Sequence, residues 1–210
     1  MGCSESEPHR NGKMTKVKKL ARRDLMSLEQ YASDRSRLRS EVIAHKQLRN
    51  VQVGPNMTWC FEDYTTIRYQ VLEMLRAERI FEADGIQGEI DAYNPLIPDG
   101  RNWKVTLLLE FPDPDERRIS LEKLIGVEDR CWIRVSEMER IFAVADEDME
   151  RENEEKTSAV HFLRFELSSS MVEAMKSGAS LSIGVDHDNY RHVLGPLPAP
   201  VRNSLGRDLD

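Results

Sequence analysis

The plainest alternation of apolar and polar positions lies in "SAVHFLRFEL", Ser158 to Leu167. Strand side chains alternate with period two, so Ala159, His161, Leu163, Phe165 and Leu167 share one face there. "WKVTLLLEF" sets Val105, Leu107, Leu109 and Phe111 on one face, and "SLSIGVDH" does so for Leu181, Ile183, Val185 and His187. "RCWIRV" and "RIFAVA", separated by polar residues, predict a hairpin; "NVQVGPNMTWCFED" predicts another that turns at Gly54-Pro55-Asn56. Helical spacing is strongest in "TTIRYQVLEMLRAERIFE", about Thr65 to Glu82. "DRSRLRSEVIAHKQLR" reads as a helix with Leu38, Val42, Ile43 and Leu48 inward, after the N-cap candidates Asp24 and Ser27. Shorter helices are expected around Ile86 to Tyr93 and in "DPDERRISLEKLIG", "SSMVEAMKSG" and "PAPVRNSLGRDL". Strands joined by helices without regular βαβ alternation predict an α+β fold. Its sheet is mostly antiparallel with helices packed against it, and its N-terminal part is the more helical.

With 210 residues, 40% hydrophobic and 32% charged, the chain suits one sizeable core under a heavily charged surface. We expect a solvated basic tail over residues 1–20 and one compact α+β unit over 21–210. Within that unit, 21–99 is a possible helical subdomain and 100–210 the sheet-rich part. Charge sharpens the division. Residues 1–23 hold seven Lys/Arg and two Asp/Glu, a net +5, which leaves −12 on the remainder of a chain whose total is −7. An acidic body argues against a nucleic-acid-binding fold, which would carry a basic face. No run reaches the ~18 apolar residues of a membrane span. Cys3, Cys60 and Cys131 form no CxxC pair, so neither a zinc knuckle nor a disulfide framework is expected, and a reducing cytoplasm fits. "MGCSES" matches the N-myristoylation pattern, with Gly2 and Ser6 in place. Six residues match easily by chance, and the reaction needs a eukaryotic transferase.

No GxSxG, Walker loop or GxGxxG is present, and "DEDMERENEE" lacks the glycine of a calcium loop. Candidate chemistry therefore rests on polar groups in apolar surroundings. On a wheel of the long helix, Ile67, Val71, Met74, Leu75 and Phe81 form a stripe with Glu78 at its centre. A carboxylate placed there must be paired, protonated or metal-bound. His161 and His187 also face inward by alternation. Two histidines and one carboxylate suit ferrous iron or a similar divalent metal, with His192 and Glu73 as further candidates. The same groups also suit a metal-free acid–base network or a purely structural one. Glu73 shares the opposite stripe with Tyr69, Arg76 and Ile80, a pattern of helix-surface pairing or of contact with another element. Cys131 alternates with Ile133 and Val135, as a buried, inert thiol would.

Four stretches carry a resemblance: "FEDYTTIRYQVLEMLRAERIF", "EIDAYNPLIPDG", "EEKTSAVHFLRFEL" and "GVDHDNYRH". From about Lys16 to Leu209 the chain resembles an uncharacterised bacterial family, domain of unknown function 3501. The family has no established activity. Its members tend to be encoded beside rubrerythrin-like proteins and cysteine-rich iron–sulfur reductase subunits. The resemblance thus implies a cytoplasmic accessory to a redox or peroxide-handling system that docks one of these partners. The alternative is a metal-binding protein or metal-dependent enzyme using Glu78, His161 and His187. Whether the chain is an enzyme is left open.

Overall fold

Helix α1 (Leu28–Lys46) begins where the Ser27 hydroxyl accepts from Gln30 N, a serine N-cap, and so starts earlier than Asp34. This computed structural model describes residues 18–145 and 156–210. Most of the basic leader and the acidic run at 146–155 lie outside the described residues. Of the expected inward set on α1, Val42 is buried and Leu38 is half-buried, while Ile43 and Leu48 are exposed. Tyr31, one turn into the helix, is fully buried in their place.

A hairpin of β1 (Asn50–Gln52) and β2 (Met57–Phe61) follows, turning where sequence placed the turn. Gly54 has φ +75°, and a Cβ there would lie 2.5 Å from His192 Cδ2 and 2.6 Å from Tyr190 Oη. Only glycine suits both the backbone angle and the contact. Helix α2 (Tyr64–Ala77) is capped by Asp63, whose Oδ1 accepts from Thr66 N at 2.9 Å. It packs with α3 (Ala83–Tyr93) and the leading segment around Leu20, Ile67, Val71, Leu75, Ile90 and Ile97.

The chain then supplies β3 (Asn102–Leu109), α4 (Pro114–Lys123), β4 (Cys131–Val135), β5 (Ile141–Phe142) and β6 (Val144–Ala145). It ends with β7 (Val160–Glu166), α5 (Ser169–Lys176), β8 (Leu181–His187), β9 (Tyr190–Leu194) and α6 (Ala199–Gly206). Two antiparallel sheets result, β1-β2-β3-β7-β6 and β5-β4-β8-β9. Their inner faces share one apolar core that includes Trp59, Trp103, Leu107, Phe165, Ile133 and Ile183. Trp59 stacks on Phe165 with centroids 5.4 Å apart.

The expected α+β class holds. The "RIFAVA" run divides, however: Phe142 pairs with Trp132 in one sheet, and Val144 pairs with Arg164 in the other. Among the described residues no helix is long and apolar enough to cross a membrane.

Candidate functional site

The sequence-predicted residues sit on different elements. His161 lies on β7 opposite Leu107, buried at 9% exposure. Its Nε2 donates to the Ser158 carbonyl at 2.8 Å and lies 3.1 Å from Thr157 Oγ1. Its Nδ1 stands 3.8 Å from the Glu128 carboxylate. His187 is the last residue of β8, in the other sheet, and donates through Nε2 to the Ile125 carbonyl at 3.1 Å.

Glu78 is a correction. Helix α2 stops at Ala77, Glu78 is its exposed C-cap, and Arg79 turns left-handed at φ +55°. The wheel was extended past the helix end, so Glu78 and Phe81, itself 65% exposed, do not lie on the buried stripe. Among the described residues no three or more His, Cys, Asp or Glu side chains are grouped to hold a metal ion. His192 packs edge-on against Tyr190 at 4.6 Å, and Tyr190 Oη donates to Val53 O at 2.8 Å, tying the second sheet to the first hairpin. Glu73 turns to α1, where it takes two hydrogen bonds from Arg35, each 2.8 Å, and one from Tyr31. Arg35 is the chief reason its carboxyl sits down at about 2, helped by Tyr31 against the opposing effect of burial.

A polar cluster that sequence reading missed centres on Arg49, whose side chain is 1% exposed. Its Nε donates to Phe61 O at 2.9 Å, and its Nη2 to Glu62 O at 3.0 Å and Asp208 Oδ2 at 2.5 Å. Asp63 Oδ2 lies 3.5 Å from the same Nε and accepts from His45 Nε2 at 2.6 Å. Burial pushes the Asp208 carboxyl up to about 6, although Arg49 pulls the other way. Arg49 follows a highly charged helix among other arginines, so no sequence signal separates it from them. Beside this cluster, α1, α2 and the leading segment bound an open cleft of 520 Å³ with Leu38, His45, Tyr64 and Arg68 in its walls. Lys18 and Arg68 are offset there by Asp24 and Glu41, so the cleft selects no sign of charge.

The outer face of the four-stranded sheet is less ordinary. Trp132 is 1% exposed yet belongs to neither apolar cluster. Register sets Phe142, Trp132, Gly184 and Val193 in one row across this face. A Cβ on Gly184 would lie 2.5 Å from Trp132 Cζ2, so the glycine lets the indole lie against the sheet. Arg140 covers the ring, its Cζ 4.0 Å from the centroid, and is anchored by Asp186 at 2.5 Å. Phe142 and Val193 at the two ends of the row are 45% and 64% exposed.

Trp132 Nε1 and, two residues on along the same face, Arg134 Nε are buried without a hydrogen-bond partner among the described residues. Both groups can only donate. A buried donor without an acceptor costs about 1–3 kcal/mol, so two side by side call for an explanation. The two described thiols, Cys60 and Cys131, offer no competing chemistry. Burial pushes Cys60 up to about 11 and Cys131 well above its ordinary value.

Fold and site together define a two-sheet α+β protein with an arginine-framed apolar row on one outer face. The chain belongs to the family described as "Protein of unknown function (DUF3501)", which matches residues 19–209. It is also similar to a protein of unknown function from Burkholderia pseudomallei K96243, known from a crystal structure, with 49% identity and a TM-score of 0.85. That match covers 92% of this chain and 100% of the other. No curated protein matches the chain.

Proposed function

We propose that this protein is an accessory docking protein, which holds a partner through the outer face of its four-stranded sheet. The observation that carries the reading is the exposed pair Phe142 and Val193 at the two ends of a sheet row framed by Arg134, Arg140 and Arg191. Such a row, with exposed Phe142 and Val193 flanking the Arg140-covered indole, has the apolar centre and polar rim of a protein interface. Arg134, Arg140 and Arg191 frame this face; Arg140 pairs with Asp186 and Arg191 with Asp188, which leaves one arginine in excess, so the partner segment that suits it is acidic. The partner classes implied by family resemblance are an iron–sulfur reductase subunit or a rubrerythrin-like protein, in a redox or peroxide-handling system of the cytoplasm. Glu78 lies at a helix end and His161 and His187 in two different sheets, and the docking reading uses none of them.

Pull-down with each of these two partner proteins at low and high salt tests the proposal. Complex formation that weakens with salt is expected, because exposed charges are screened within about 10 Å at 0.1 M. Absence of a complex with either protein at low salt would overturn it.

A further inference from the structure

On the opposite side of the molecule two cations stand where a sheet ordinarily avoids them. Lys104 on β3 and Arg164 on β7 are direct cross-strand partners, and Val144 of β6 completes their row. All three lie on the face turned away from the core, because Trp103, Val105, Leu163 and Phe165 supply the core face. Like charges directly opposite each other destabilise a sheet. Lys19 adds a third positive charge nearby, held by the carbonyls of Asn94 at 3.0 Å and Ile97 at 3.1 Å. The neighbouring carboxylates are already engaged: Asp99 accepts from Arg101 N and Asn102, and Glu166 from Asn102 and Arg164. The Lys104 ammonium makes no hydrogen bond or ion pair among the described residues, although the residue is half-buried.

Above the pair is a cavity of 130 Å³, walled by Pro95, Leu96, Val144 and Phe162, with Lys104 and Arg164 as its charged groups among the described residues. Water takes about 30 Å³ per molecule in the liquid, so the space holds roughly four waters or an acid of a few carbons. An anion between the two cations would remove their repulsion, and the apolar walls suit a short hydrocarbon stem. We propose that this pocket binds a short-chain carboxylate, its carboxylate between Lys104 and Arg164 and its stem against Leu96, Val144 and Phe162. Burial, then Arg164 and Lys19, hold the Lys104 ammonium below its ordinary value, against the weaker pull of Asp99 and Glu166. A bound carboxylate reverses that direction and gives a readout that does not depend on any activity.

The test is titration of the full chain, carrying 13C-labelled lysine, with butyrate and separately with inorganic phosphate, at matched ionic strength. Butyrate is expected to shift the Lys104 Cε signal saturably and to raise the pH at which it titrates, with phosphate binding more weakly. Lys104→Met and Arg164→Met should each weaken butyrate binding roughly ten- to a hundredfold, the loss of one charged hydrogen bond. Lys104→Met without ligand should melt higher than the wild type, because the like-charge pair is gone, which separates lost binding from lost folding. Linear, unsaturable shifts with both anions would reduce the pocket to surface charge and overturn the proposal. So would saturable binding of phosphate alone, or unchanged butyrate binding in both variants.

Discussion

Arg49 is the side chain whose loss should be felt furthest. It joins the end of α1 to the carbonyls of Phe61 and Glu62 and to Asp208 near the C-terminus. Arg49→Met leaves Asp208 and Asp63 without their buried counter-charge and should cost about 3–5 kcal/mol in urea melts. Asp208 gives the pH signature. Its folded carboxyl titrates at about 6 against an ordinary 3.8, so the folded state binds the extra proton. Its contribution is greatest below 3.8 and is lost as pH rises through about 6, a slope that Asp208→Asn removes from pH-series melts. Glu78→Leu, by contrast, should change stability by less than about 0.5 kcal/mol, since the carboxylate is exposed at a helix end. Alternation in "SAVHFLRFEL" correctly buried His161, because a strand's period continues while pairing lasts. The wheel failed at Glu78 because the left-handed residue after it is Arg79 rather than a glycine, so nothing in the sequence marked the stop.

Between elements, Glu73 is the clamp that fastens α2 to α1. Arg35 and Tyr31 approach it from a helix that the sequence could not place beside it; only the local neighbours Tyr69 and Arg76 were legible. Its carboxyl is held at about 2 against an ordinary 4.5, chiefly by Arg35. The stability it contributes is therefore present above about 4.5 and lost as pH falls toward 2. Glu73→Gln should flatten that acid limb and cost about 1.5–3 kcal/mol at neutral pH, the range for hydrogen bonds to a charged group. Strand existence was readable from period-two patterns, whereas partnership was not. "RIFAVA" looks like one strand because both halves alternate, yet Ala143 lies between a pair to β4 and a pair to β7. The strand β9 escaped notice because His192 and Arg191 interrupt its apolar pattern.

At the scale of the whole molecule, the C-terminal segment crosses back to the first half. Asp210 N donates to Gly100 O at 2.9 Å, Trp103 Nε1 donates to Leu205 O at 3.0 Å, and Asp208 meets Arg49. These ties link the helical cluster around α2 to the two-sheet core. One cooperative unfolding transition is expected, with far- and near-ultraviolet circular dichroism coinciding; two separated transitions would contradict it. The acidic body was legible from composition alone, but the arginine-framed row of Trp132 was not, because it is assembled from three strands whose order no periodicity reveals. The direct test of docking through this face is a 1H–15N spectrum of the full chain, with the Phe142 and Val193 backbone amide signals assigned, recorded as the partner is added. Both signals should shift saturably as the partner covers the exposed Phe142 and Val193 side chains. A complex that forms while both remain unchanged would show that the partner docks elsewhere and would contradict the account.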